Sequence, residues 1–173
     1  MADHEWRVTR YDPALRSATG RFLEDSWTSV WDIGQNFSDA TLTVDEYLRA
    51  ESAYVRTATS FAVESGVFEL RVVDLERDLE RLDQVELTRL GLPPIDLTTP
   101  IRDDAVVPVG QWQHVMRAIL RELAWCKLES DPFFVHFGHD FYMYVGSDSL
   151  CEQSQLSAKT SGLFVEEMHS PYA

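Results

Sequence analysis

No apolar run in this chain approaches the roughly 20 residues that a membrane-spanning helix requires. The start, Met1 to Trp6, is polar and charged, with neither the apolar core nor the cleavage pattern of a secretory signal. Both absences lead to the expectation of a soluble, cytoplasmic protein with no membrane attachment. Cysteine is scarce, with only Cys126 and Cys151. Without an export signal these are expected as free thiols rather than a disulfide. There is no Cys-x-x-Cys, no His-Glu-x-x-His and no Gly-rich phosphate-cradling loop, because the glycines are scattered singly. Positive charge is also short: 15 Lys and Arg face 29 Asp and Glu, for a formal net charge of -14. A basic patch with interleaved aromatics is missing, so nucleic acid is not an expected partner.

What is present suits a globular protein. The 173 residues fit one domain, and a domain of this size buries about 70% of its unfolded surface. Hydrophobic residues are 45% and charged residues 25%, both ordinary values. The acidic excess repels phosphates and anionic lipid and speeds encounter with basic surfaces; its other reading is solubility alone.

Trp6, Val8 and Arg10 alternate with Arg7, Thr9 and Tyr11, which predicts a first strand. Asp12-Pro13 offers an N-cap and a first-turn proline for a short helix that Gly20 limits. Residues 24 to 40 read as a loop holding Trp27 and Trp31, which either lid the core or form an aromatic-acidic contact patch. Thr43-x-x-Glu46 is a capping box. Tyr47, Leu48, Tyr54, Val55, Ala58, Phe61 and Ala62 follow at helical spacing, and Gly66 stops the helix, expected over 44 to 64. A second strand is expected over Phe68 to Val73. A charged helix from Asp74 to about residue 86 should carry an apolar stripe of Leu75, Leu79 and Leu82. Residues 91 to 107, with Pro93, Pro94 and Pro100, read as a loop. Trp112, Val115, Met116, Ile119, Leu120 and Leu123 place another helix over 109 to about 124. Strands follow at 125–129, 133–137 and 141–145, with Gly138-His139 as a two-residue hairpin turn. Leu163 to Met168 is a possible edge strand. The expected fold is a single α+β domain over 1–173. Its sheet is mainly antiparallel, with two long amphipathic helices and one charged helix packed on one face.

The densest reactive group is His136, His139 and Asp140, with Cys126 nearby in sequence. A metal-dependent enzyme or small hydrolase centred there is one reading, but a strand histidine and a turn histidine need not converge, and zinc wants three or four donors. In the other reading His136 faces the sheet surface while His139-Asp140 shape the hairpin. A Cys126–His136 nucleophilic pair competes with the commoner fate of a small buried thiol. The abundant carboxylates mark no cleft. No catalytic residue, metal or cofactor is therefore expected.

Four stretches carry a resemblance: Phe134-Val135-His136-Phe137-Gly138-His139-Asp140-Phe141-Tyr142-Met143-Tyr144-Val145-Gly146, Trp27-Thr28-Ser29-Val30-Trp31-Asp32-Ile33-Gly34, Leu42-Thr43-x-x-Glu46-Tyr47-Leu48, and Arg121-Glu122-Leu123-Ala124-Trp125-Cys126-Lys127-Leu128. Together the chain resembles the small immunity proteins of bacterial polymorphic and contact-dependent toxin systems. The resemblance implies a non-catalytic protein that binds a cognate toxin tightly and blocks its active site or the approach to it. An acidic member is expected to meet a basic toxin, such as a nuclease domain, through charge steering and desolvated ion pairs. Such families place contacts on variable surfaces, so no binding residue carries over by motif. Chemistry alone nominates Glu24, Asp25, Asp32, Asp74, Asp78 and His139 as contacts, with Trp27, Trp31 and Tyr142 as anchors. A third reading is an acidic adaptor subunit of a larger assembly, which should expose a large apolar patch.

Overall fold

The computed structural model describes residues 2–76, 84–96 and 101–172. Its centre is a seven-stranded sheet in the order β5-β4-β6-β7-β8-β1-β9. The strands are β1 (His4–Thr9), β4 (Glu69–Glu76), β5 (Val106–Pro108), β6 (Trp125–Ser130), β7 (Phe133–Phe137), β8 (Tyr142–Ser147) and β9 (Phe164–Glu167). Every neighbouring pair is antiparallel. Strands β2 (Asn36–Phe37) and β3 (Ala40–Thr41) form a small separate ribbon. The helices are α1 (Val44–Glu64), α2 (Gln84–Arg89), α3 (Trp112–Leu120) and α4 (Glu152–Thr160). The chain is an α+β domain, and among its described residues no helix is long and apolar enough to cross a membrane.

Helix α1 begins where its cap is: the Thr43 hydroxyl accepts the Glu46 amide at 3.2 Å. It stops at Gly66, whose φ of +72° reverses the chain while Val67 N–H bonds back to the Ala62 carbonyl at 2.9 Å. Tyr47, Tyr54, Ala58, Phe61 and Ala62 are fully buried on its inward stripe. Each large side chain there contributes about 2 kcal/mol or more of burial free energy. The stripe meets the sheet through Trp6, 5.3 Å from Phe61, and through the Tyr54 hydroxyl, which donates to the Phe141 carbonyl at 2.5 Å.

Helix α3 is shorter than its apolar period suggests. A 3-10 turn covers Val109–Gln111, and the α-helix ends at Leu120. Glu122 there takes a left-handed φ of +58°, and Leu123 N–H closes the end on Ala118. Strand β4 is longer than expected, running to Glu76. Asp74 to Glu76 are therefore strand rather than the start of a charged helix. Residues 77–83, with Asp78, Leu79 and Leu82, lie outside the described residues. The extension works through a bulge: Asp74 has a φ of +55°, and the pairing register with β6 shifts between Val73 and Glu76. The segment expected to be loop through residue 107 instead contributes β5 to the sheet edge. The possible edge strand at 163–168 is the edge strand β9.

Alternation divides the sheet into two faces. Val8, Leu70, Val72, Cys126, Leu128, Val135, Met143 and Val145 turn inward and are buried beside the helices. Their neighbours Arg7, Lys127, Phe134, His136, Tyr142, Tyr144 and Glu166 share the opposite face. The segment after β9 crosses that face: Met168 N–H bonds Glu5 O at 3.1 Å, and Ser170 N–H bonds the Glu5 carboxylate at 2.8 Å.

Candidate functional site

The β7–β8 connection builds one wall of a cleft. Gly138 N–H bonds the Tyr142 carbonyl at 2.6 Å, so the turn holds His139, Asp140 and Phe141 rather than Gly138-His139. Phe141 has a φ of +58°, a conformation that costs a side-chain-bearing residue free energy. Core packing compensates: its ring sits 4.9 Å from Trp27, 5.9 Å from Tyr47 and 5.5 Å from Tyr54. With Phe141 drawn inward, His139 and Asp140 stay exposed at the rim.

Opposite lie the end of α3 and the loop before Val30. The cleft between them has a volume of about 560 Å³. Its walls include Thr28, Ser29, Glu76, Glu122, Trp125, His139 and Asp140, and no lysine or arginine among the described residues. Ser29 is fixed twice: its hydroxyl accepts the Trp31 amide at 3.1 Å and donates to Glu122 at 2.5 Å. Trp125 is partly buried, its indole N–H donates to Phe137 O at 2.8 Å, and its ring lies 6.1 Å from that of His139, nearly parallel. Tyr172 also packs against it, tilted, at 5.7 Å. A second depression shares Glu76 and Trp125 and adds Asp74, Asp103 and Lys127. Lys127 is paired there with Asp74 at 2.9 Å. Trp125 thus stands between two acidic hollows, an arrangement suited to a cationic side chain, which gains from both a carboxylate and an aromatic face.

The histidines part company. His136 is 1% exposed beneath the C-terminal segment. Its Nδ1 lies 3.0 Å from the Ser170 hydroxyl and its Nε2 3.2 Å from Glu129. A serine, a histidine and a carboxylate in a row are the parts of a nucleophilic triad. Here the Ser170 hydroxyl also accepts the Tyr172 amide at 3.2 Å. Burial, reinforced by the nearby Lys127 ammonium and opposed by Asp74, lowers the His136 pKa to about 4, too low for an effective base at neutral pH. The row works as a latch that holds residues 170–172 on the sheet. His139 stands apart, and among the described residues no three His, Cys, Asp or Glu side chains are placed to share a metal ion. Cys126 and His136 sit on opposite faces of the sheet, since it is Lys127 that pairs with His136. They cannot form a nucleophilic pair.

Of the contacts nominated from the sequence, His139 lines the main cleft and Asp74 the adjoining hollow. The rest serve elsewhere. Trp27 is a core lid, 4% exposed, with the Arg10 guanidinium 3.8 Å above its ring. Trp31 packs on the core. Asp32 forms a capping box with Ser29 around the Val30–Asp32 turn. Asp25 accepts the Ser38 amide at 3.0 Å, and Glu24 is exposed on the same loop. Tyr142 lies on the outer sheet face near Arg7 and Arg16, at 5.5 and 5.9 Å. Asp78 is outside the described residues. Sequence reading missed Glu76, Glu122, Trp125 and Asp140 as a group, because no local spacing joins them. The one available signal was an indole flanked by turn carboxylates.

No protein-family model, no curated protein and no solved structure matches this chain.

Proposed function

We propose that the protein is a cytoplasmic, non-catalytic immunity protein that binds and neutralises a basic bacterial toxin, with the cleft beside Trp125 as its contact surface. The observation that supports this is the wall of that cleft: Glu76, Glu122 and Asp140 line it beside a partly exposed indole, and no lysine or arginine among the described residues lines it with them. On a chain of net charge -14, such a concavity draws cationic groups by long-range attraction and holds them by short-range pairing. Aromatic anchors at the centre of a contact surface carry a large share of binding free energy.

The test is recovery of a partner from the source cell with the tagged parent protein and with the Glu76→Lys/Glu122→Lys variant. The parent should retain a basic protein through washing, and the charge-reversed variant should lose it. Co-expression of the parent should also restore growth to cells making that protein. Failure of the parent to retain any stable partner, or undiminished retention by the variant, sinks the reading.

A further inference from the structure

The two ends of α3 border hollows of opposite character. Ile119, Leu120 and Glu122 at its end belong to the acidic cleft. At its start, a groove of about 480 Å³ runs between the second half of α1 and the turn before α3, with Val55, Arg56, Val63, Val109, Gly110 and Gln113 in its walls. The chain has 29 acidic residues, yet among the described residues none lines this groove, and Arg56 is its one charged group. Arg56 is exposed, and no described carboxylate pairs with it. One turn away on α1 stand Ser52, Ala53, Thr59 and Ser60, so the helix supplies no acidic neighbour. Glu51, on the side of α1 that meets α3, already holds both Arg117 and Arg121.

The other end of the groove is apolar. The ladder pairs Leu70 with Val107 and Glu69 with Pro108, and Val109 N–H bonds Phe68 O at 3.0 Å. Phe68 and Val109 are therefore the next pair on the sheet face that buries Leu70 and Val107. Helix α1 ends at Glu64 and leaves that pair uncovered: Phe68 is 61% exposed, Val109 43%, and Val63 of the last helical turn 48%. Arg56, Thr59, Ser60 and Val63 follow one another at helical spacing along the groove. Seven residues of helix put Arg56 about 10 Å from Val63 along the axis.

We infer that this groove receives an amphipathic helix of a partner protein, laid along α1. Its apolar side chains cover Val63, Phe68 and Val109, and a carboxylate two turns away on the same face pairs with Arg56. The spacing selects a helix over a strand. Residues seven apart on a helix share a face and lie about 10 Å apart. An extended chain covers about 10 Å in three residues, which turns the third side chain to the opposite face. Charge selects the acidic partner, because an unpaired guanidinium beside apolar surface gains most from a carboxylate brought against it. A second copy of this chain fits poorly, since each copy brings a net charge of -14. The groove lies at the far end of α3 from the Trp125 cleft and does not depend on that cleft being a binding site.

The probe is an alanine-based helical peptide with a central leucine pair one turn apart and a glutamate two turns to either side, so that its orientation is not presupposed. Added to the full chain, it should shift the amide NMR signals of Val63, Gly110 and Gln113. The same peptide with lysine in place of glutamate should bind about tenfold more weakly. Arg56 is exposed and unpaired, so Arg56→Glu should keep the parent unfolding temperature while reversing the preference between the two peptides. Val63→Asp should weaken both. If Arg56→Glu folds poorly, Arg56→Gln should remove the preference without reversing it. Equal binding of the two peptides, shifts confined to the Trp125 cleft, no shifts anywhere, tighter binding of a proline-broken peptide of the same composition, or self-association of the free protein through this groove each overturns the inference.

Discussion

Arg121 grips Glu51 with two hydrogen bonds, 2.6 Å from Nε and 2.9 Å from Nη2, in a part of the core where both side chains are almost wholly buried. The pair ties α3 to α1, Arg117 adds a contact at 3.0 Å, and Arg121 also donates to the Pro93 carbonyl at 2.6 Å. Removing one partner strands a charge in a poorly hydrated place. Glu51→Ala should lower stability by about 3–5 kcal/mol, read by urea unfolding. Replacing both Glu51 and Arg121 by methionine should cost much less than the single change. Equal losses for the single and double variants would show that the charge pairing is not what matters.

His136 makes stability depend on pH. Its pKa falls from the usual 6.5 to about 4 in the folded protein. Between those values the unfolded chain binds a proton that the folded chain refuses, so stability declines as pH drops through that window. The full shift amounts to about 3 kcal/mol. Neutral His136 fits the latch: Nε2–H donates to Glu129 and Nδ1 accepts from Ser170. A His136→Gln variant should be less stable at pH 7 and should show a flatter decline between pH 6.5 and 4. A parallel decline in parent and variant would assign the pH dependence to other groups.

Phe134 lies over Gly146 on the neighbouring strand, where a β-carbon would overlap its ring. The aromatic ring covers the backbone that glycine leaves bare. Gly146→Ala should therefore cost about 1–3 kcal/mol despite glycine's weak strand propensity, seen as an earlier thermal midpoint. Phe134→Leu should relieve part of that loss in the double variant. An unaltered midpoint for Gly146→Ala would mean that Phe134 moves aside freely.

Most of the fold could be read in the sequence where one segment holds its own signals. Thr43, the Tyr47-to-Ala62 stripe and Gly66 bracket α1 at both ends, and the alternation around Val135 and Met143 marks β7 and β8. Helix α4 was illegible for the opposite reason. Cys151 supplies no cap; instead Glu64, from α1, accepts the Gln153 and Ser154 amides at 3.2 and 2.8 Å. Only Ser154 and Ala158 of that helix are buried, so it has no apolar stripe. The cleft follows the same logic. Left-handed residues Glu122 and Phe141 line it, and left-handed Asp74 lines the adjoining hollow; none is a glycine that would announce the turn. The aromatic pair Trp27 and Trp31 drew attention to the right loop, but it is the short polar Thr28 and Ser29 between them that reach the cleft.

Trp125 also gives the molecule an optical handle. Of the five tryptophans, Trp6, Trp27 and Trp112 are buried, while Trp31 and Trp125 are both partly exposed and packed against the core, so a Trp31→Phe background isolates the indole at the cleft. Light emitted by the indole at the cleft should dim when caesium ions are added and barely respond to iodide, because the surrounding carboxylates gather cations and turn anions away. Filling the cleft should shield that emission.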